Sequence, residues 1–176
     1  MTLIPLKIAG VTRMQLELRG DSRGYFTRLF DLSEIRTVCP EYQVVQINRS
    51  LTQKKGTLRG IHYQKAPHAE DKLVQCLQGA IFDVAVDLRP GSPTYRQWVG
   101  VELSAENKEL LLVPKGCGHA FQTLTDDCLV EYFVSQSYAP ASEGGIRWND
   151  PAIGVKWPLP DPFTSEKDAA WPPIAP

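Results

Sequence analysis

Nine consecutive residues, Ala80-Ile81-Phe82-Asp83-Val84-Ala85-Val86-Asp87-Leu88, alternate with a period of two. A β-strand turns successive side chains to opposite faces, so one face carries Phe82, Val84, Val86 and Leu88 and the other carries Asp83, Ala85 and Asp87. A helix cannot sort residues this way. Runs of similar length and character occupy residues 42–48, 72–77, 98–103, 110–113 and 128–134, and residues 16–18 and 25–30 read as two strands joined by a tight turn. Turn chemistry bounds them, as in Gln78-Gly79, Arg89-Pro90-Gly91-Ser92-Pro93 and Thr125-Asp126-Asp127. Evenly spaced short strands predict an all-β sandwich or barrel. Only residues 32–38 and 165–170 read as helical, the second opening on a serine cap.

With 176 residues, 43% of them hydrophobic, the chain can bury roughly 70% of its unfolded surface as one domain. No linker, repeat or low-complexity segment divides residues 1–176. Seven of the fourteen prolines (Pro151, Pro158, Pro160, Pro162, Pro172, Pro173 and Pro176) follow Asn149, which predicts an extended tail wrapped on a folded body. A net charge of -1 gives no bulk attraction for nucleic acid or an anionic membrane. Neither a long apolar leader nor an 18-residue apolar run is present, so a cytoplasmic location is expected. Cys39, Cys76, Cys117 and Cys128 lack C-x-x-C spacing and sit in or beside apolar runs, reading as buried free thiols.

Gly20-Asp21-Ser22-Arg23-Gly24 matches the G-x-S-x-G pattern of a serine nucleophile, but a nucleophile elbow joins a strand to a helix and this segment joins two strands. Pro114-Lys115-Gly116-Cys117-Gly118-His119 reads P-x-G-x-x-H and resembles the second motif of cupins, small double-sheet jelly rolls. The tight turn would aim His119 into the barrel mouth. The first cupin motif supplies an H-x-H pair, whereas Gly60-Ile61-His62-Tyr63-Gln64 has glutamine in place of one histidine. A three-histidine metal site would need His62, His68 and His119 together, and His68 lies in a polar loop, so no metal and no cofactor are expected.

Acid and base side chains must then carry any chemistry. Histidine titrates near neutral pH and suits a general base; Arg59, Gln64 and Lys72 around His62 would favour an anion. Tyr132 shares a strand face with apolar Cys128, Val130 and Val134, which points its hydroxyl into a closed interior where it needs a partner. Alone, His62 reads more readily as a hydrogen-bonded core histidine than as a catalyst, and Tyr132 reads equally well as core packing.

A set of segments in order makes the pattern specific: Asp21-Ser22-Arg23-Gly24-Tyr25-Phe26, Gln46-Ile47-Asn48, Leu58-Arg59-Gly60-Ile61-His62-Tyr63-Gln64, Lys72-Leu73-Val74, Phe82 to Arg89, Ser92-Pro93-Thr94, Trp148-Asn149-Asp150-Pro151 and Ser165-Glu166-Lys167-Asp168. Together they resemble the dTDP-4-dehydrorhamnose 3,5-epimerase family over nearly the whole chain. The resemblance implies a metal-free cupin jelly roll (a double-stranded β-helix) with short peripheral helices, an N-terminal arm and a proline-rich tail. It also implies a homodimer in which the arm of one subunit completes the partner's site.

Carried onto this sequence, the resemblance makes His62 the base, Asp168 its orienting acid, Tyr132 the acid on the opposite sugar face and Lys72 the enolate stabiliser. Arg23 and Arg59 would bind the diphosphate, Gln46, Asn48 and His119 the sugar pocket, and Phe26 and Tyr138 would pack on sugar or base. Asp83 would orient His119 or His62. The implied substrate is a nucleotide-diphosphate 4-keto-6-deoxyhexose, inverted at carbons 3 and 5. Alternatives are a 3- or 5-epimerase of another 4-keto sugar nucleotide, a non-catalytic sugar-nucleotide binder, or a metal-dependent cupin. Two departures bear on the substrate: Thr27-Arg28 where many members carry a glutamate, and Gly118-His119-Ala120-Phe121 where Ala-His-Gly-Phe is common.

Overall fold

The computed structural model describes residues 1–174. In chain order it comprises β1 (Thr2–Pro5), β2 (Thr12–Gln15), β3 (Arg19–Asp21), β4 (Gly24–Phe26), α1 (Leu32–Ile35), β5 (Gln46–Thr52), β6 (Leu58–Gln64) and β7 (Lys72–Gln78). There follow β8 (Ala80–Asp87), β9 (Trp98–Ser104), β10 (Glu109–Val113), β11 (Cys117–Thr123), β12 (Cys128–Val134), β13 (Glu143–Gly145) and α2 (Glu166–Ala169). Two sheets face one another as a jelly roll, ordered β1-β2-β10-β7-β12-β5 and β13-β6-β11-β8-β9; β3 and β4 form a separate hairpin. All these strand pairs are antiparallel.

The alternation along β8 is used on both faces. Ile81 and Ala85 belong to the core between the sheets, with Val74, Leu103, Leu111, Phe121 and Val130. The opposite face, Phe82, Val84, Val86 and Leu88, lies beneath Ile146, Ile153, Val155, Trp157 and Ile174 from the chain after β13. The acidic face of the strand therefore looks into the barrel and its apolar face is roofed by the tail. A one-residue slip would put Asp83 and Asp87 under that apolar roof, so the register is strongly specified.

Asp87 ends the strand and pins the following loop. Its carboxylate accepts from the Arg89 backbone N–H at 3.1 Å and guanidinium at 2.8 and 2.9 Å, from the Ser92 hydroxyl at 2.5 Å and from the Thr94 hydroxyl at 2.6 Å. Burial opposes its charge, but the bonds from Arg89, Ser92 and Thr94 outweigh burial and hold the carboxyl far below the usual range. The Ser92-Pro93-Thr94 segment is thus accounted for by loop closure.

Tail and barrel are stitched by polar bonds. Leu58 N donates to Phe163 O at 2.8 Å, the Gln122 amide pairs both ways with the Leu159 backbone at 2.9 and 3.0 Å, Arg147 N donates to Pro172 O at 3.1 Å and Ile174 N donates to the Asp150 carboxylate at 2.7 Å. The chain after Asn149 crosses the barrel in turns and bends and includes the helix α2, so it is less extended than its prolines predict; Pro176 lies outside the described residues.

Several expected boundaries move. The strand placed at 42–48 starts at Gln46, because Tyr42 is fully buried beside α1 and donates its hydroxyl to Phe133 O at 3.0 Å, which holds residues before Gln46 out of the ladder. The arm hairpin is Arg19–Asp21 with Gly24–Phe26 rather than 16–18 with 25–30. The helix at 32–38 is capped by Asp31, but ends at Ile35 and continues as turns to Tyr42. Cys39 is half-buried, unlike the other three cysteines.

Candidate active site

β6 lies between β13 and β11, with His62 opposite Gly145 on one side and His119 on the other. Close approach of β6 and β11 depends on Gly60. Its φ is +123°, and a Cβ there would stand 2.5 Å from the Ala120 Cβ and 2.7 Å from the His119 carbonyl oxygen. The ladder shifts register between His119 and Phe121 at this point. From the facing sheet, β12 sets Tyr132 between Asn48 of β5 and Val74 of β7.

Two adjoining cavities result. One, of about 310 Å³, is lined by Gln46, Asn48, Glu70, Tyr138 and Glu143; the other, of about 270 Å³, by Ser50, Arg59, His119, Phe121, Lys167 and Asp168. His62, Lys72 and Tyr132 line both. A histidine, a lysine and a tyrosine shared by two compartments can serve a ligand with one part in each.

His62 Nε2 lies 2.5 Å from Asp168 Oδ1, across 106 residues of sequence. Ser165 caps α2 and its hydroxyl accepts from Asp168 N at 3.1 Å, which fixes the carboxylate at the third helical position. The other carboxylate oxygen accepts from Gly60 N at 3.4 Å. Burial opposes ionisation of Asp168, but the His62 hydrogen bond and charge, with the Gly60 N–H, hold the carboxyl below its ordinary value. As an ionised carboxylate is an acceptor only, it places the imidazole proton on Nε2 and leaves Nδ1 as the basic nitrogen.

Tyr132 packs against the inter-sheet core. Burial raises the pKa of its phenol; the Arg59 charge opposes this and Glu70 adds to it. The group therefore holds its proton at neutral pH. Lys72 pairs with Glu70 at 3.2 Å, both side chains being mostly buried. His119 Nε2 is 2.7 Å from Asp83 Oδ1, so Asp83 serves His119 and not His62, and its second oxygen is buried without a partner among the described residues. Arg59 donates to the Thr52 hydroxyl at 3.0 Å. Gln46 donates to Asn48 at 2.6 Å and accepts from Tyr138 N at 3.3 Å.

Gln64 is the neighbour of His62 that turns out to be structural. Its amide donates to the His68 and Ser137 carbonyls at 2.9 and 3.3 Å and accepts from Ala139 N at 2.7 Å. His68 lies 2.9 Å from the Ser142 hydroxyl, in the loop where a non-ligating role was expected. Among the described residues no group of three or more His, Cys, Asp or Glu side chains is arranged to hold a metal ion.

Arg23 and Phe26 are not brought to these cavities. Both sit on the β3–β4 hairpin, where Phe26 is 68% exposed and Arg23 pairs with Asp21 at 2.6 Å. Arg28, one of the departures from the family pattern, faces Asp31 at 3.1 Å and Glu34 at 3.7 Å and lines neither cavity. Among residues not anticipated, Glu70 partners Lys72, and Glu143 accepts from Tyr138 at 3.0 Å and from Lys167 at 2.6 Å. Trp171 was also unanticipated; its ring centroid lies 6.3 Å from that of His62. Its place three residues after Asp168, just past the helix C-cap Ala170, was the available sequence signal.

Comparison with known proteins gives a consistent result. A family profile described as dTDP-4-dehydrorhamnose 3,5-epimerase matches residues 5–175. A dTDP-4-dehydrorhamnose 3,5-epimerase of Sinorhizobium fredii is 45% identical over 168 residues, covering 95% of this chain and 86% of that protein. The crystal structure of dTDP-6-deoxy-D-glucose-3,5-epimerase from Legionella pneumophila, in complex with dTDP-4-keto-L-rhamnose, superposes with a TM-score of 0.91 at 40% identity, covering 98% of this chain and 92% of the other. A 3'-monoepimerase from Streptomyces bikiniensis, in complex with dTDP-quinovose, gives 0.88 at 35% identity, covering 97% and 86%. No helix among the described residues is long and apolar enough to cross a membrane.

Proposed function

Because this chain belongs to the dTDP-4-dehydrorhamnose 3,5-epimerase family, we propose that it is an isomerase that converts dTDP-4-dehydro-6-deoxyglucose to dTDP-4-dehydrorhamnose. The observation that carries the assignment is the trio His62, Lys72 and Tyr132 shared by two cavities, with His62 held by Asp168. The 4-keto group acidifies the C–H bonds at carbons 3 and 5. His62 Nδ1 takes a proton, and the C–H electrons move into the ring to form an enolate. The Lys72 ammonium stabilises the enolate oxygen as charge develops there. Tyr132 O–H then delivers a proton to the opposite face, and the centre is inverted. His62 is left protonated and Tyr132 ionised, so both exchange protons with water before the next inversion.

In the remaining assignments, Arg59 meets the diphosphate through its planar fork, Gln46, Asn48 and His119 bound the sugar pocket, Asp83 orients His119, and Tyr138 packs on the base or sugar. We read arm, jelly roll and tail as one domain acting in the cytoplasm.

Solvent labelling tests the reaction. Incubation with dTDP-4-keto-6-deoxyglucose in deuterated water is expected to place deuterium on both carbons 3 and 5, read by mass spectrometry and NMR. Label on carbon 3 alone would assign a monoepimerase, the activity printed for the Streptomyces bikiniensis neighbour; label on neither would refute the assignment.

For Arg23 and Phe26 the supported reading is a homodimer in which each hairpin reaches the partner's cavities. The hairpin exposes Tyr25 and Phe26, and the outer face of edge strand β5 exposes Ile47 and Leu51 at 55% and 52%; apolar surface of this kind marks an interface. Mixing Arg23→Ala and His62→Ala chains after joint unfolding and refolding is expected to restore about one quarter of wild-type turnover. In a random mixture of isologous dimers, half carry one intact site of two. An activity equal to the mean of the two variants would place Arg23 in its own subunit's site.

A further inference from the structure

We propose that Trp171 is a positioning residue for the His62–Asp168 pair, its indole locking the plane of the imidazole and shielding the shared proton from water; the proposal rests on the epimerase reading. One carboxylate oxygen 2.5 Å from Nε2 fixes a distance but leaves the imidazole free to tilt about that bond. A second contact must set the plane. The Trp171 ring supplies it, 6.3 Å between centroids with the planes at 67°, an edge-to-face arrangement.

The seat for this indole is built by the backbone. At Gly145, directly across the ladder from His62, a Cβ would come within 2.2 Å of the Trp171 ring atoms Cδ2 and Cε2. Glycine is therefore needed at this position for closeness to the indole rather than for backbone conformation. The Lys167 ammonium stands 5.8 Å from the indole centroid and is itself held by Glu143 at 2.6 Å. The next residue, Pro172, accepts a backbone bond from Arg147 at 3.1 Å. The ring is thus fixed from the strand side, the helix side and the tail.

The indole N–H is buried and makes no hydrogen bond of good geometry. It nevertheless lies near enough to Asp168 to help hold that carboxyl low, after the larger influences of burial, His62 and Gly60. Trp171 lines neither cavity. It can act on the reaction through His62 and Asp168, with little direct effect on substrate binding. Excluding water around a short hydrogen bond strengthens it, since the local dielectric falls.

Three variants separate positioning from bulk packing: Trp171→Ala empties the seat, Gly145→Ala fills it while keeping the tryptophan in the chain, and Trp171→Phe restores a ring edge. The first two are expected to lower kcat about 10- to 100-fold, the size of effect that misplacing a reacting group produces, with KM little changed. Trp171→Phe should recover most of the loss. Independently of turnover, proton NMR of the free enzyme should show a downfield His62 Nε2–H that exchanges slowly in the wild type and is lost to rapid exchange in Trp171→Ala and Gly145→Ala. Wild-type kcat and an unchanged protected proton in Trp171→Ala would overturn the proposal, as would a lowered Tm with both retained. If the wild type turned over no 4-keto sugar nucleotide, yet the proton was lost in the two alanine variants, the epimerase reading would fall and the positioning role would stand.

Discussion

His62→Ala is expected to lower kcat by about a thousandfold, within the range that a positioned general base contributes. Two features argue for so large an effect. The imidazole is held by a buried carboxylate in the tautomer that leaves Nδ1 basic, and its side chain is 32% exposed, whereas His119, the other histidine lining the cavities, is buried at 9%. No second base of suitable strength is in place to take over. The His62 side chain is 32% exposed and belongs to none of the three hydrophobic clusters, so the fold is expected to survive its truncation. Turnover and KM measured with dTDP-4-keto-6-deoxyglucose, with circular dichroism to verify folding, check this; a loss below tenfold would show that another group removes the proton.

Tyr132→Phe is expected to separate exchange from inversion. The phenyl ring preserves the contacts that Tyr132 makes with the inter-sheet core, so the variant folds. Proton removal by His62 and enolate stabilisation by Lys72 both remain possible, and deuterium from solvent should still enter the sugar. It returns from the His62 side, with retention. Formation of the inverted product should fall about a hundredfold, near the lower end of what a general acid supplies, while exchange at the same carbons falls much less. The raised pKa of the phenol, which burial causes, keeps the native group a proton donor across the neutral range. Equal loss of exchange and inversion would show Tyr132 acting before the enolate forms.

Legibility in the sequence followed burial. Strands with one distinctive face were readable: residues 72–77 and 128–134 correspond to Lys72–Gln78 and Cys128–Val134 with at most one residue of difference. Strands β6 and β11 were noticed for their histidines rather than as strands. All seven residues of Cys117–Thr123 are buried, so no inside–outside alternation marks them, and Gly60 and Gly118 interrupt the β-forming pattern. They are nevertheless adjacent in the second sheet and hold His62 and His119.

The site was readable in kind more than in wiring. A resemblance carried by local motifs named His62, Lys72, Tyr132 and Asp168, whereas the links among them are tertiary. The choice of Asp83 for His119 comes from neighbouring strands β8 and β11, which the sequence does not declare. Trp171 escaped notice because an aromatic residue in a proline-rich tail reads as roof packing, and Glu70 because an acid in a polar loop reads as a solvated charge. Arg23 and Phe26 show a different limit: their hairpin lines a separate pocket with Arg19, Asp21 and Tyr25, apart from His62 in this chain.

During synthesis the ribosome releases His62 106 residues ahead of its partner, an interval of about 5–20 s at bacterial and eukaryotic elongation rates. Every strand of both sheets precedes α2 in the chain. The strands that carry His62 and Tyr132 are therefore made before Asp168 and Trp171. A product truncated before α2 would contain every strand of both sheets yet lack both Asp168, the residue proposed to orient His62, and one wall of the second cavity.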